Sequence, residues 1–375
     1  MKRSSTSHTN TIAKSCKTKL SQAKRHYSEG NYRKALSVCE SIYILNASYT
    51  DNLLLLGAIH LQLRNLSESI FYNQQCLRVD QSCSEAHANI GNALKELGDT
   101  KSASNFFDKA IRIQPRFVNA YCNLASTQFE EGHYKKAIES FQAATTLQPR
   151  NVHGHCNLGN VYKSLGDLDA AKQCFIMSIK IDPRCAIAWS NLGGIFYDDR
   201  DYDNAITSYQ HALNLFPNFP DAHSNLGNAL LRKGMSDCHE NTIQEALKCY
   251  RKAAELRPDF AVALGNLGMS LYYIAMNENI EGSKEVQKML QRSIQLDLKY
   301  PDALNNLGVN YLQQGRLDDA IKCFLRAIRL KPDHNHVYNN LGICLIQKVR
   351  KSKLTYIRLY FSHFVSKCFI ARISF

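Results

Sequence analysis

Eight asparagines carry the most regular chemistry in this chain: Asn89, Asn123, Asn157, Asn191, Asn225, Asn266, Asn306 and Asn340. Successive members stand 34 residues apart as far as Asn225, then 41 and 40 apart, and Asn306 to Asn340 is 34 again. A side-chain amide offers both a donor and an acceptor. A row of them suits the alternating N–H and C=O groups of an extended polypeptide, and would hold many sequences through their backbone alone. Elements packed about 10 Å apart would present one amide to roughly every three residues of extended chain. The alternative is structural, with each amide satisfying neighbouring backbone.

Other chemistry is sparse. There is no glycine-rich phosphate loop, no nucleophile elbow and no carboxylate pair outside helical surface positions. The expectation is no catalytic residue, no cofactor, and no enzyme activity for this chain as it stands. His153/His155 and His334/His336 are spaced i, i+2, which splits each pair across a helix, so no metal ligands are assigned. Thirteen cysteines include no Cys-x-x-Cys and the count is odd; they read as small side chains in a reducing compartment.

The asparagines must be positioned by a repeating element. Number each repeat so that Gly57, Gly91, Ala125, Gly159, Gly193, Gly227, Gly268, Gly308 and Gly342 stand at position 8. Position 7 is then Leu or Ile throughout, position 20 is Ala103, Ala137, Ala171, Ala205, Ala246 and Ala320, and position 24 is aromatic from Phe107 to Phe324 in six repeats. Residues at 4, 7, 8 and 11 share one helical face, and those at 20, 24, 27 and 28 share a face of a second helix. Gly98, Gly132, Gly166, Gly234 and Gly315 lie between the two, where a C-terminal cap is wanted. Proline at position 32, as in Pro115 and Pro149, ends the second helix. The unit is a helix–turn–helix hairpin, the asparagines occupy its position 6, and Trp189 at position 4 reads as a core knob.

This pattern resembles the tetratricopeptide-repeat family, because six positions recur in phase. The resemblance implies an all-α, right-handed superhelix: an α-solenoid of about nine and a half hairpins over residues 16–348. Residues 1–15 are expected to be a disordered basic terminus, and 349–375 a basic, aromatic tail with no repeat signature. Two long repeats place insertions near 235–241 and 275–280, in turns between paired helices. They are either tolerated surface loops or a partner-specific flap. In the resembled fold, position 6 points from the first helix to the concave face. Relatives that clamp a terminal carboxylate use Lys at position 5, where this chain has Ala88, Cys122, Cys156, Ser190 and Ser224, so that mode is disfavoured.

The net charge of +13 is confined to the ends. Residues 1–34 hold nine Lys/Arg against one Glu and 348–375 hold seven against none, leaving 30 basic and 32 acidic side chains between them. A near-neutral body argues against nucleic acid as a partner. No uncharged apolar run reaches 18 residues and Met1–Lys14 lacks an apolar signal core, so neither a membrane span nor a secretory signal is expected. The expected setting is cytoplasmic or nuclear, with proteins or extended peptide segments as partners; homo-oligomerisation is left open.

The phrases HANIGNALKELGD (87–99), HCNLGNVYKSLGDLDAAKQCF (155–175), AIAWSNLGGIF (186–196), DAHSNLGNAL (221–230) and LLLLGAIHLQLRNL (53–66) are similar to the N-terminal repeats of the protein O-linked N-acetylglucosaminyltransferase family. That resemblance implies a substrate-recognition module threading extended protein segments past the asparagines. The glycosyltransferase domain that follows in the family is missing from residues 1–375. Lys348-Val349-Arg350 is what a read-through splice donor would encode, which makes the tail translated intron. Alternatively, Leu354, Ile357, Phe361, Phe364, Val365 and Cys368 fit one helical face that caps the stack. Two rivals stand beside the module reading: a full-length transferase whose catalytic domain follows, and a stand-alone scaffold for folded partners.

Overall fold

The computed structural model describes residues 2–237, 239–277 and 283–351, with side chains for 13–237, 239–272, 284 and 286–351. Among the described residues every regular element is an α-helix. Contacts divide the chain into two units, residues 1–188 and 189–375, with the boundary inside one helix.

The first unit is a stack of antiparallel hairpins: α1 (Lys2–Ser28) with α2 (Tyr32–Leu45), α3 (Thr50–Gln62) with α4 (Leu66–Val79), α5 (Ser84–Glu96) with α6 (Thr100–Ile113), α7 (Val118–Glu130) with α8 (Tyr134–Leu147), and α9 (Val152–Ser164) with α10 (Leu168–Ile181). The second holds most of α11 (Ala186–Asp198), then α12 (Tyr202–Leu215), α13 (Pro220–Asp237), α14 (Glu240–Leu256), α15 (Ala261–Asn277), α16 (Ser283–Leu296), α17 (Pro301–Gln313) and α18 (Leu317–Leu330). A last first-helix, α19, covers 335–351. The tail residues 352–375, including the six proposed for a capping face, lie outside the described residues.

Residues 2–15 were expected to be disordered, yet they belong to α1. Their Ser and Thr are weak helix formers, which is what composition registered. However, no glycine or proline precedes Gly30, and Cys16, Leu20 and Ala23 are buried, anchoring the helix from its C-terminal half.

The turn between paired helices is a Schellman motif. After α5, Gly98 takes φ +84, its N–H donates to Lys95 O, and Asp99 N–H donates to Leu94 O at 3.0 Å. Asp99 then caps α6, its carboxylate accepting from Ser102 N–H at 3.0 Å. Arg64 (φ 63) and Arg200 (φ 61) hold the same left-handed position without being glycine.

Position 8 is small because position 24 lies against it. A Cβ built on Gly91 would sit 2.6 Å from Phe107 Cε1, and one on Gly159 would sit 2.7 Å from Phe175. In the second unit the corresponding pairs are Gly227 with Tyr250 at 2.7 Å and Gly308 with Phe324 at 2.6 Å. These rings are fully buried, each contributing about 1.5–3 kcal/mol of transfer free energy.

Three expectations are corrected. The seven-residue surplus near 235–241 is no surface loop. It lengthens α13 to 18 residues and α14 to 17, against 13 and 14 in a regular hairpin such as α5–α6. Gly234 is therefore no turn residue: it lies inside α13, where a Cβ would meet Ile243 at 2.8 Å. The surplus near 275–280 likewise extends α15, to 17 residues, and its remainder falls on 278–282, outside the described residues. The inner face of the first helix uses positions 3 and 10 more than 4 and 11. Ala86, Ala120, Ala222, Ala93, Val161 and Ala229 are wholly buried, while Trp189 at position 4 is only half-buried and stacks on His211, with centroids 4.7 Å apart.

Candidate functional site

Positions 3, 7, 8 and 10 of each first helix are pinned inside the hairpin stack. Position 6 lies beside that buried face, and position 9, three residues on, shares its side of the helix. All eight predicted asparagines accordingly sit on first helices, α5 through α19, and all are half-buried with part of the side chain reaching solvent. In the first unit these are Asn89, Asn123 and Asn157; in the second, Asn191, Asn225, Asn266, Asn306 and Asn340.

Their amides bond mainly to other side chains, not to backbone. Asn123 Nδ2 donates to Asn92 Oδ1 at 2.8 Å, from position 6 of one repeat to position 9 of the preceding one. Asn266 does the same to Asn228 at 2.9 Å. Asn228 Oδ1 also accepts from the Tyr250 hydroxyl at 2.8 Å. Burial pushes that phenol well above its ordinary value, which keeps it a donor. Asn89 donates to the buried Asn73 at 3.2 Å, and Asn340 to Asn305 at 2.9 Å. Asn305 in turn donates to Asn306 at 3.3 Å. Asn157 and Asn225 make no side-chain hydrogen bond to another described residue.

One bond leaves an amide with a second N–H and an acceptor oxygen to spare. The ladder side is thus partly pre-organised, with donors and acceptors left over. The position-9 asparagines were missed by sequence reasoning, although the phrase Asn-x-x-Asn recurs in three first helices, at Asn89–Asn92, Asn157–Asn160 and Asn225–Asn228.

Position 5 is closed to a carboxylate clamp. Ala88, Cys156, Ser190 and Ser224 are small and buried. The histidine pairs are engaged separately: His155 Nε2 donates to Pro149 O at 3.0 Å, and His334 Nε2 lies 2.8 Å from Asp302 Oδ1. Among the described residues no group of three His, Cys, Asp or Glu side chains is arranged to hold a metal ion, and no helix is long and apolar enough to cross a membrane. The eleven described cysteines are free thiols. Burial pushes Cys39 up to about 12 and Cys249 to about 11, so these remain protonated packing groups.

Family profiles described as tetratricopeptide or TPR repeat match residues 84–117, 106–139, 127–166, 153–185, 195–234 and 301–334, and those over 84–117, 153–185 and 301–334 each cover one hairpin. It is a tetratricopeptide-repeat protein. The hairpin stack is similar to that in the crystal structure of the APC/C hetero-tetramer Cut9–Hcn1. The match has a TM-score of 0.60 and 15% identity over 84% of this chain and 59% of that one, which is a likeness of fold alone. In sequence, 93 residues are 38% identical to the probable UDP-N-acetylglucosamine–peptide N-acetylglucosaminyltransferase SEC of Arabidopsis thaliana. A further match, of 94 residues at 33% identity, is to the UDP-N-acetylglucosamine–peptide N-acetylglucosaminyltransferase of Caenorhabditis elegans. These stretches are 25% of this tetratricopeptide-repeat chain but only 10% and 8% of the two relatives. The repeats resemble the repeat domain of those enzymes. Scaffolds of this kind mediate protein–protein interaction, and the matched regions here are repeats without a catalytic domain.

Proposed function

We propose that this protein binds extended polypeptide segments along the first-helix side that carries the asparagine ladder, as a substrate-recognition module does for a protein O-GlcNAc transferase. The observation that carries this reading is the in-phase set of eight half-buried amides, of which Asn123 and Asn266 spend one N–H on an inter-repeat bond and keep a second N–H and an acceptor oxygen. Such amides would read backbone, so binding would tolerate many sequences and respond weakly to salt. The likeness to two peptide N-acetylglucosaminyltransferases supports the same class of partner; a cytoplasmic or nuclear setting is part of the proposal.

The test is titration of an unstructured acceptor-type peptide onto the parent and onto a variant with Asn157, Asn191, Asn225 and Asn266 all changed to Ala. A large loss of affinity in a folded variant supports the ladder. Unchanged binding, or unfolding of the variant, defeats it.

A second reading follows from the same partial likeness: the natural product continues into a glycosyltransferase domain. Genomic sequence downstream of codon 348 decides it, and under the module reading residues 1–375 alone transfer no sugar from UDP-GlcNAc to a peptide. A third, a scaffold for folded partners, would crosslink at second helices instead of the ladder.

A further inference from the structure

Position 4 of the first helix lies on the side opposite the ladder, and it is a ring in six repeats: His87, Tyr121, His155, Trp189, His223 and Tyr338. His87 lies against Phe106 with centroids 5.8 Å apart, and Trp189 stacks on His211. These partners stand at positions 23 and 26 of the second helix. The position-4 histidines also donate from Nε2 to the carbonyl six residues earlier: His87 to Gln81 at 3.3 Å, His155 to Pro149 at 3.0 Å and His223 to Pro217 at 2.9 Å.

The repeat over 261–300 carries leucine instead, as do those beginning at 50 (Leu53) and 301 (Leu304). Its position 4 is Leu264, and positions 23 and 26 are Met289 and Arg292. A cleft of about 450 Å³ opens between α14, α15 and α16. Leu264, Met289, Ala254 and Pro258 form its apolar floor, and Lys288 and Arg292 stand at its rim. The Pro258 carbonyl lacks the histidine that caps its counterparts. In the next repeat the position-26 arginine, Arg326, is tied to Leu298 O at 3.2 Å. Arg292 has no such tie. Lys288 and Arg292 are exposed, one helical turn apart, and neither is ion-paired to a described residue.

The geometry points to a second binding site here, for a partner peptide that carries an aliphatic side chain beside a carboxylate. The aliphatic group covers Leu264 and Met289. The carboxylate accepts hydrogen bonds from Arg292 and Lys288, which no described acid pairs. A peptide N–H is free to donate to the Pro258 carbonyl. Two cations above an apolar floor fit one acidic side chain and not a phosphate polymer, which needs a longer run of charge. Position 4 and position 6 lie about 200° apart around a helix, so this site and Asn266 face opposite sides of α15 and do not compete. The site stands independently of the ladder reading.

The experiment is fluorescence anisotropy with the full chain and a labelled Gly-Ser-Asp-Leu-Asp-Ser-Gly peptide. Saturable binding is expected. It should weaken about 3- to 10-fold in the Lys288→Gln/Arg292→Gln variant, whose two changes are at exposed positions. It should weaken also when the peptide leucine becomes serine, and when added salt screens the pair. Leu264→Trp, which restores a ring at position 4, should abolish it while melting behaviour stays near parental. No saturable binding, equal binding by the double variant or the serine peptide, or a preference for polyuridylate over the peptide would each overturn the proposal.

Discussion

Asn123 donates its side-chain N–H to Asn92 across 2.8 Å, joining the first helices of two successive repeats. Asn157, one repeat further on, makes no such bond. The same residue type at the same repeat position therefore has two different duties. Asn123→Ala should cost about 0.5–1.5 kcal/mol of stability, the net worth of one hydrogen bond, while Asn157→Ala should change it by less than about 0.5 kcal/mol. Both should weaken an extended peptide a few-fold. Denaturant titration of the two variants checks the first difference, and equal stabilities would refute it.

Gly159 and Gly342 differ in the opposite sense. A Cβ on Gly159 would be 2.7 Å from Phe175, whereas one on Gly342 meets no described residue within 4 Å. Gly159→Ala should destabilise by about 1–3 kcal/mol through overpacking. Gly342→Ala, inside α19, should gain about 0.5–1 kcal/mol from lower backbone entropy. Thermal denaturation of both variants would expose an error if the two shifts had the same sign.

Arg200 occupies a left-handed turn at φ 61 where five other repeats have glycine. Arg200→Gly should stabilise by about 1 kcal/mol, the steric cost of a β-carbon in that region. A lowered melting midpoint would mean that the arginine side chain contributes more than the strain costs.

The cap at Asp99 has a pH signature. Hydrogen bonds from the Ser102 hydroxyl and backbone N–H hold its carboxyl below the ordinary 3.8. A depressed folded-state value means that the cap is fully stabilising above the unfolded value, and the contribution is lost as pH falls through the folded one. Asp99→Ala should therefore melt below the parent at neutral pH. The gap should close as pH falls from neutral through the ordinary 3.8 and then through the depressed folded value. A gap constant over that range would show that the carboxylate charge is irrelevant to the cap.

The hairpin architecture was legible because a period of 34 residues repeats the same packing problem many times, and each copy corroborates the others. The ladder asparagines were legible for the same reason. What escaped were features that depend on where helices stop. Gly234 reads as a turn glycine by register, but an inserted run of helix-compatible residues carried α13 through it and gave it a contact with Ile243 instead. The wholly buried position 3 was visible as Ala86, Ala120, Ala188, Ala222, Ala263 and Ala303, but alanine is too common in helices to announce burial. Hydrogen bonds such as Asn266 to Asn228 could not be read, because they join residues 38 apart through the stacking of neighbouring hairpins.

The lengthened pair α13 and α14 has a kinetic consequence. In a repeat array folding can begin at any hairpin and spread by nearest-neighbour docking, so the hairpin with most local contact sets the starting point. With 18 and 17 residues packed around Leu226, Leu230, Leu247 and Tyr250, this pair closes more surface at short sequence separation than a regular hairpin does. Its amides should gain protection first during refolding and surrender it last under native-state hydrogen exchange, which makes this hairpin the seed of the second unit.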